Sequence, residues 1–217
     1  MLAASAVALP PIGIYRNDME TTVQREQVTK LFGERCGRGG SDHAFRVTVG
    51  KSTPECAYRT SVVGRDLEIS ATARLLSSTP KPLQNKAFLA VNLRAGEAGA
   101  HYQLAVYPLQ GKAQLRKTTS DGQVKYLHIE KDVAAVKGLN KGNELRLRAF
   151  NVIGGVEKGS CRVIAFVGPQ RVAEVIDSAG GELESRASGF SAGAPRGAKG
   201  VVASFDDVVV RVPNPTG

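Results

Sequence analysis

The chain has 217 residues, of which 42% are hydrophobic and 23% charged, and this composition excludes an intrinsically disordered protein. Lys and Arg number 29 against 20 Asp and Glu, which gives a formal net charge of +9. The basic residues never form a run of five, and no zinc-finger or helix-turn-helix spacing occurs, so nucleic acid is not expected as a partner. The length suits a single all-β domain.

Residues 1–35 are predicted to be the remnant of an export signal or anchor, followed by a linker helix. Residues 2–15 are almost entirely apolar but too short to span a bilayer, and Ala6-Val7-Ala8 resembles a signal-peptidase site. Apolar groups then recur on one side of a helical pattern over residues 20–32. We expect an extracytoplasmic protein, secreted or tethered to a membrane through this segment. An apolar arm that packs on the rest of the domain is the alternative.

Two of the three cysteines are placed to form a disulfide. Cys36 lies in a glycine-rich turn and Cys56 in a proline-containing turn, with a short predicted strand at 44–49 between them. A hairpin-like excursion of this length brings the two turns together, and the bridge would stabilise the fold by about 3 kcal/mol. Such a bridge fits an oxidising compartment. Cys161 falls on the apolar side of its strand and is predicted to be a buried free thiol.

From residue 36 to 217 the chain is predicted to form one antiparallel jelly-roll β-sandwich of two stacked sheets. Residues 67–75 alternate between apolar and polar side chains, which is typical of a strand with one buried face. The proline-rich run 77–86 predicts a loop. Tight turns are predicted at Asp121-Gly122 and at Gly168-Pro169-Gln170. Further strands are predicted at 88–94, 102–107, 112–117, 124–129, 145–150, 161–167 and 172–176.

The last predicted strand, 201–212, contains a change of register. Its apolar residues change parity between Phe205 and Val208, and a β-bulge at Asp206-Asp207 would return both runs to the core. The alternative is that these two aspartates bind calcium or another ligand. His43, His101 and His128 do not lie at ligand spacing around the cysteines, so neither zinc nor any other cofactor is predicted.

The order of these segments resembles the concanavalin A-like lectin and glucanase superfamily, in particular its laminin-G-like bacterial domains. The resemblance extends over about residues 58–213 and implies a β-sandwich. Its departure is the hairpin tip, where Gly168-Pro169-Gln170 replaces the Asn-Gly common in such domains. The segments that carry the resemblance are 102–106, 142–150, 162–168, 173–177 and 201–210.

The resemblance also raises the possibility of a glycoside hydrolase, because glucanases of this superfamily carry a Glu-x-Asp-x-x-Glu motif. Retaining hydrolysis needs two carboxyl groups about 5 Å apart. The chain lacks the motif, and the acids nearest to it in spacing are the pairs Asp66 with Glu68 and Glu182 with Glu184. A Gly-x-Ser-x-Gly nucleophile motif and a phosphate-binding glycine loop are also absent. The sequence therefore favours a protein that is not an enzyme, with a divergent hydrolase as the alternative.

A binding surface is predicted on the outward side of the central strands, where polar side chains oppose the apolar register. This surface would be basic and rich in amides, suited to an acidic glycan or cell-wall polymer, or to another protein. Tryptophan is absent, so stacking on sugar rings would depend on tyrosine. We expect a recognition or adhesion module at the cell surface. The predicted binding residues are Asn92, Arg94, His101, Gln103, Tyr107, Arg146 and Arg148.

Overall fold

A computed structural model describes most of the chain after residue 11. The described residues form fifteen strands and two short helices, and the strands make two antiparallel sheets, so the all-β prediction is confirmed. No helix within these ranges is long and apolar enough to cross a membrane. The predicted signal-peptidase site at Ala6-Val7-Ala8 lies outside them. The described ranges are 12–19, 21–41, 44–51, 53–96, 99–152, 159–180, 183, 187–194 and 199–213.

One sheet has eight strands in the order β13-β12-β11-β6-β15-β4-β3, and β1 pairs with β15 beside this path. Its strands are β1 (Ile12–Asn17), β3 (Cys36–Ser41), β4 (Ala44–Val49), β6 (Leu67–Leu75), β11 (Asn143–Asn151), β12 (Cys161–Val167), β13 (Gln170–Asp177) and β15 (Val202–Val212).

The other sheet has seven strands in the order β10-β9-β8-β7-β14-β5-β2. Its strands are β2 (Thr29–Phe32), β5 (Glu55–Val63), β7 (Phe88–Ala95), β8 (His101–Tyr107), β9 (Lys112–Thr118), β10 (Val124–Glu130) and β14 (Ala187–Gly193).

The segment before residue 36 contributes strands to both sheets. The short N-terminal helix is present as α1 (Thr22–Glu26), but the predicted helix over 20–32 is wrong at its end, where Thr29–Phe32 forms β2. Pairing of Phe32 with Ala57 of β5 outweighs the local helical pattern. Residues 12–17 pair with the last strand, so the described part of this segment does more than link a tether to the sandwich.

The core lies between the two sheets and follows the predicted alternation. In β6, Leu67, Ile69, Ala71, Ala73 and Leu75 all point into the core. Phe190 stacks on Phe205 in it with ring centroids 4.6 Å apart and meets Phe45 edge-on with centroids 5.5 Å apart. Each fully buried side chain of this size contributes about 1.5–3 kcal/mol relative to an exposed one.

The predicted bulge in the last strand is confirmed. The pairing of β15 with β6 shifts register between Asp206 and Val209, and Asp207 has a positive φ of 49°. The backbone N–H of Asp207 donates to the Asp206 carboxylate at 2.8 Å. Because of the extra residue, Phe205 and Val208 both point into the core.

The predicted disulfide is also confirmed, and it joins the two sheets. Cys36 lies in β3 and Cys56 in β5, with their Cα atoms 5.6 Å apart. Cys161 is a buried free thiol, as predicted. The predicted loop at 77–86 contains a single turn of helix, α2 (Lys81–Gln84), with proline in its first turn, where a missing N–H costs no helical hydrogen bond.

Candidate functional site

The side of the seven-stranded sheet that points away from the core, here called the outer face, carries four of the seven predicted binding residues. Asn92 of β7 and His101, Gln103 and Tyr107 of β8 lie on it, because their neighbours along each strand point into the core. The parity predicted from the sequence is correct for these four. All four are nevertheless buried, since side chains from other strands cover them.

Gln103 lies at the centre of a hydrogen-bond network on the outer face. Its Nε2 donates to the carboxylate of Glu55 and, at 2.8 Å, to Oδ1 of Asn92. Its Oε1 accepts a hydrogen bond from Nε of Arg116. Asn92 in turn donates to Oγ of Ser191 at 3.0 Å, and Arg116 Nη2 lies 3.5 Å from a Glu55 carboxylate oxygen. The network joins five neighbouring strands of the sheet: β5, β14, β7, β8 and β9.

The sequence pattern alone did not identify Glu55, Arg116 or Ser191 as members of this network. Arg116 could have been found, because it has the outward parity of its predicted strand at 112–117. Glu55 follows a proline in a segment predicted to be a turn, and Ser191 lies in a glycine-rich stretch without a clear strand pattern.

His101 has one ring nitrogen without a partner. It is 3% exposed, and its Nδ1 lies 2.5 Å from the carbonyl oxygen of Gly99. Burial lowers the pKa of the imidazole, so the ring is neutral at pH 7 with the proton on Nδ1 facing that carbonyl. The Nε2 atom is then a hydrogen-bond acceptor, and it has no partner among the described residues.

Gln114 supplies a second acceptor of this kind on the outer face. Its buried Oε1 has no hydrogen-bond partner in the described part of the chain. Gln114 pairs with Ala105, two residues before Arg116 on β9, and so shares the outward parity. Two buried acceptors on one sheet face therefore lack hydrogen-bond donors in the described part of the chain. Each buried acceptor that stays unsatisfied destabilises the folded state by about 1–3 kcal/mol.

A cavity of about 560 Å³ opens at the His101 end of the outer face. This volume lies within the range of about 300–1,000 Å³ typical of small-molecule sites. One wall of the cavity lies against the disulfide: Gly33 lines the cavity, has a φ of 105°, and a Cβ there would lie 2.5 Å from Cys36 Sγ. The side chains that line the cavity include Phe32, Glu34, Glu55, His101, Thr118 and Val124.

The strand at the edge of the sheet adds an exposed apolar rim. Val124, Tyr126 and Ile129 of β10 are all exposed, and Tyr126 is 56% exposed. Tyr126 pairs with Arg116 and Ile129 with Gln114, so this rim adjoins the polar network. An exposed tyrosine beside buried polar groups is a surface on which a sugar ring can stack. The absence of tryptophan predicted a role for tyrosine, but no sequence pattern identified Tyr126 in particular.

Three of the predicted binding residues do not lie on the outer face. Arg94 has a positive φ of 54°, which ends the alternation of β7. Its buried guanidinium donates to the Gly180 carbonyl at 3.3 Å and to Asn151 Oδ1 at 2.6 Å, so it ties loops together at one end of the sandwich.

Arg146 and Arg148 belong to β11 and therefore to the other sheet. The Arg146 guanidinium lies 4.1 Å from the centre of the Phe166 ring, and Arg148 pairs with the carboxylate of Glu68. The parity that placed both side chains outward is correct, but parity does not show which sheet a strand joins. The structure does not form the single surface of seven residues that the sequence predicted.

Of the two acid pairs nearest to the glucanase motif, Asp66 with Glu68 does not form a site on the outer face. Glu68 lies on the eight-stranded sheet, is 2% exposed and is paired with Arg148. Asp66 accepts a hydrogen bond from the backbone N–H of Asn151 at 2.8 Å. Glu182 and Glu184 lie outside the described residues. Within those residues no group of His, Cys, Asp and Glu is arranged to hold a metal ion.

A larger depression, about 790 Å³, lies on the opposite side of the molecule. Its charged lining residues are mixed in sign: Arg16 and Arg211 against Glu144 and Asp207. None of the buried polar atoms that lack a partner within the described ranges belongs to a residue lining it. The outer face of the seven-stranded sheet is therefore the stronger candidate site.

Comparison with known proteins gives matches in structure. No family model and no curated protein sequence matches the chain. A carbohydrate-binding module, CBM66, from Bacillus subtilis is 13% identical, with a TM-score of 0.62 over 85% of this chain and 95% of that one. A Bacillus subtilis protein of unknown function with a galectin-like fold is 12% identical, with a TM-score of 0.64 over 93% of this chain and 96% of that one.

An enzyme is similar to the same degree. A prokaryotic β-1,3-1,4-glucanase (lichenase) derived from a mouse hindgut metagenome is 11% identical, with a TM-score of 0.61 over 92% of this chain and 98% of that one. Identities this low establish a shared fold and no shared activity. The protein therefore shares the two-sheet β-sandwich fold of these proteins, which agrees with the fold implied by the resemblance to the concanavalin A-like lectins and glucanases.

Proposed function

We propose that the protein is a non-catalytic recognition module that binds a polysaccharide on the outer face of the seven-stranded sheet. One observation carries this proposal: His101 Nε2 and Gln114 Oε1 are both buried acceptors on this face, and neither has a partner among the described residues. Both atoms are covered by neighbouring side chains, so a ligand that supplies hydrogen-bond donors would satisfy them when it displaces this cover. Sugar hydroxyls are such donors, and the sugar ring also offers an apolar face.

The surrounding side chains support this arrangement. The Phe32 ring stacks on the His101 imidazole with centroids 5.3 Å apart, which fixes the orientation of the acceptor nitrogen. The network around Gln103 holds Glu55 and Arg116 in place, so the site is formed before a ligand arrives. Tyr126 then provides an exposed ring at the rim. The structurally similar carbohydrate-binding module favours the same interpretation.

A divergent glycoside hydrolase is the second candidate, and the similar lichenase is the observation that favours it. Hydrolysis needs two carboxyl groups that face the substrate. Glu34 and Glu55 are the acids that line the cavity in the described part of the chain, and Glu55 is already engaged by Gln103 and Arg116. This engagement favours binding over turnover.

The test is a glycan array with the purified chain, followed by titration of the polysaccharides that bind. His101→Leu removes the unpartnered acceptor and should weaken binding about tenfold. His128→Leu is the matched control, because His128 lies in the edge strand with its Nε2 3.0 Å from Glu130. Release of reducing sugar that Glu55→Gln abolishes would replace the binding proposal with the hydrolase. No binding to any glycan would refute both.

We also propose that the chain works outside the cytoplasm, secreted or tethered, and that a cell-surface polymer or another protein is its partner there. The disulfide between Cys36 and Cys56 supports this location, because such bonds persist in oxidising compartments. Protease access to the chain in intact producer cells tests the location, and thiol labelling after lysis in denaturant shows whether Cys36 and Cys56 are oxidised. A reduced, protease-protected chain would refute it.

A further inference from the structure

Two lysines face each other at the end of the outer face opposite His101. Lys112 begins β9, and Ala113 beside it pairs with Glu130 of β10. Continuing this register by one residue brings Lys131 opposite Lys112, and the Val133 N–H donates to the Gly111 carbonyl at 2.7 Å just beyond. Burial, and after it the positive charge of Lys131, lowers the pKa of Lys112.

This arrangement is unfavourable for the protein alone. Like charges directly opposite each other on paired antiparallel strands are destabilising. No carboxylate in the described ranges forms an ion pair with either lysine. By contrast, Arg116, four residues further along β9 on the same face, forms an ion pair with Glu55. Glu130 and Asp132 flank Lys131 along the chain, but Glu130 contacts His128, and neither acid forms an ion pair with Lys112 or Lys131 in the described part of the chain. Both ammonium groups are therefore available to an anion.

The Lys112 ammonium is positioned by a ring instead of by an acid. Its Nζ lies 4.0 Å from the centre of the Tyr107 ring, and Tyr107 packs against Phe88 with ring centroids 5.8 Å apart. A ring face attracts a cation without using its N–H donors as a carboxylate does. The donors of Lys112 thus stay available to an anion that lies above Tyr107.

We propose that the polysaccharide bound on the outer face is anionic, and that one of its carboxylate or sulfate groups binds between Lys112 and Lys131. This inference rests on the proposed function, since it names the class of glycan for the same face. The acceptors His101 and Gln114 receive sugar hydroxyls, and the lysine pair receives the charged substituent of another residue along the polymer. The net charge of +9 adds long-range attraction for such a polymer.

The test measures affinity of the full chain for polygalacturonate, dextran sulfate and neutral dextran and xylan at about 0.15 M salt. The anionic polymers should bind at least about tenfold more tightly than the neutral ones, and the better of the two identifies carboxylate or sulfate as the group. The double variant Lys112→Gln, Lys131→Gln should remove that preference and flatten the salt dependence. Lys141→Gln, which removes an exposed charge near the other sheet, should leave it unchanged.

Equal affinity for neutral and anionic polymers, insensitive to the double variant, would overturn this inference and leave the polysaccharide proposal standing. A double variant that weakens neutral and anionic polymers equally would also overturn it, because the lysines would then support the face without reading charge. Absence of binding to all the polymers, together with a glycan array in which nothing binds, would overturn the proposed function as well.

Discussion

Phe32 and His101 stack with their ring centroids 5.3 Å apart, although Phe32 ends the edge strand β2 and His101 begins β8, which is four strands away in the sheet. In the order of strands, β5, β14 and β7 lie between them. The contact therefore spans the outer face and closes one end of the cavity. Phe32 directly precedes the short connection 33–35 that leads to Cys36, so the geometry of the site depends on the bridge between Cys36 and Cys56.

Removal of the disulfide should weaken both the fold and ligand binding. The variant Cys36→Ser, Cys56→Ser frees a loop with a sequence separation of 20, and its free energy of unfolding should fall by about 3 kcal/mol. Urea denaturation measures this loss. Dithiothreitol should destabilise the wild type to a similar extent but leave the double variant unchanged. A wild type with the same unfolding midpoint in both redox states would contradict the prediction.

Truncation of Gln103 should be costly although the residue lies outside the core between the sheets. Gln103→Ala removes the hydrogen-bond partner of Asn92 Oδ1 and of Arg116 Nε, both buried, so the free energy of unfolding should fall by about 2–3 kcal/mol. Gln123→Ala in the exposed β9–β10 turn is the control and should change it by less than about 0.5 kcal/mol. Equal, small effects of the two substitutions in chemical denaturation would show that the network contributes no stability.

Tyr126 should contribute to affinity and not to stability. Tyr126→Ala removes an exposed ring from the rim and should weaken polysaccharide binding about fivefold, as expected for loss of about 1 kcal/mol of stacking. Ile176→Ala is the control, because Ile176 is 54% exposed on the other sheet. Calorimetric titration measures both variants. An unchanged affinity for Tyr126→Ala would exclude the β10 rim from the site.

Acidification should destabilise the protein through His101. Burial, the largest cause, and the nearby Arg116 lower the pKa of this imidazole from its ordinary value of 6.5, against the opposing effect of Glu55. Below pH 6.5 the imidazole of the unfolded chain binds a proton that the folded chain does not bind. The free energy of unfolding therefore decreases as the pH is lowered from 6.5 to the pKa of the folded state. Urea denaturation at a series of pH values should show this slope. His101→Gln should remove it, and an identical slope in the variant would assign the effect to other groups.

The buried ion pair of Lys117 with Asp177 should matter far more than an exposed one. Lys117 Nζ lies 2.9 Å from Asp177 Oδ2, which also accepts a hydrogen bond from the Tyr102 hydroxyl at 2.6 Å. Asp177→Asn removes the negative charge beside a buried lysine, and the free energy of unfolding should fall by about 3 kcal/mol.

The comparison for this pair is Glu174→Gln, which breaks the partly exposed contacts of Glu174 with Arg162 and Arg171. That loss should be below about 1 kcal/mol. Thermal or urea denaturation of both variants at neutral pH measures the difference. Similar losses for the two substitutions would mean that burial of Lys117 does not strengthen its dependence on Asp177.

Local pattern alone determined several features of this protein. Alternation at residues 67–75 showed which side chains of β6 are buried, and the change of parity at Asp206-Asp207 showed the bulge. The spacing of Cys36 and Cys56 predicted the disulfide, although both cysteines lie in strands, β3 and β5, and not in the predicted turns. These features depend on neighbours along the chain, because side chains alternate across a strand whatever it pairs with. The same parity correctly turned Asn92, Gln103, Arg146 and Arg148 away from the core.

Only the tertiary structure decided which of these outward residues share a face. Asn92 and Gln103 lie on one sheet and Arg146 on the other, since sheet membership is set by long-range strand pairing. The helical pattern at 29–32 gave way for the same reason, when Phe32 paired with Ala57. Burial of the outward polar groups was equally hidden from the sequence, because Glu55 reaches them from a strand distant along the chain.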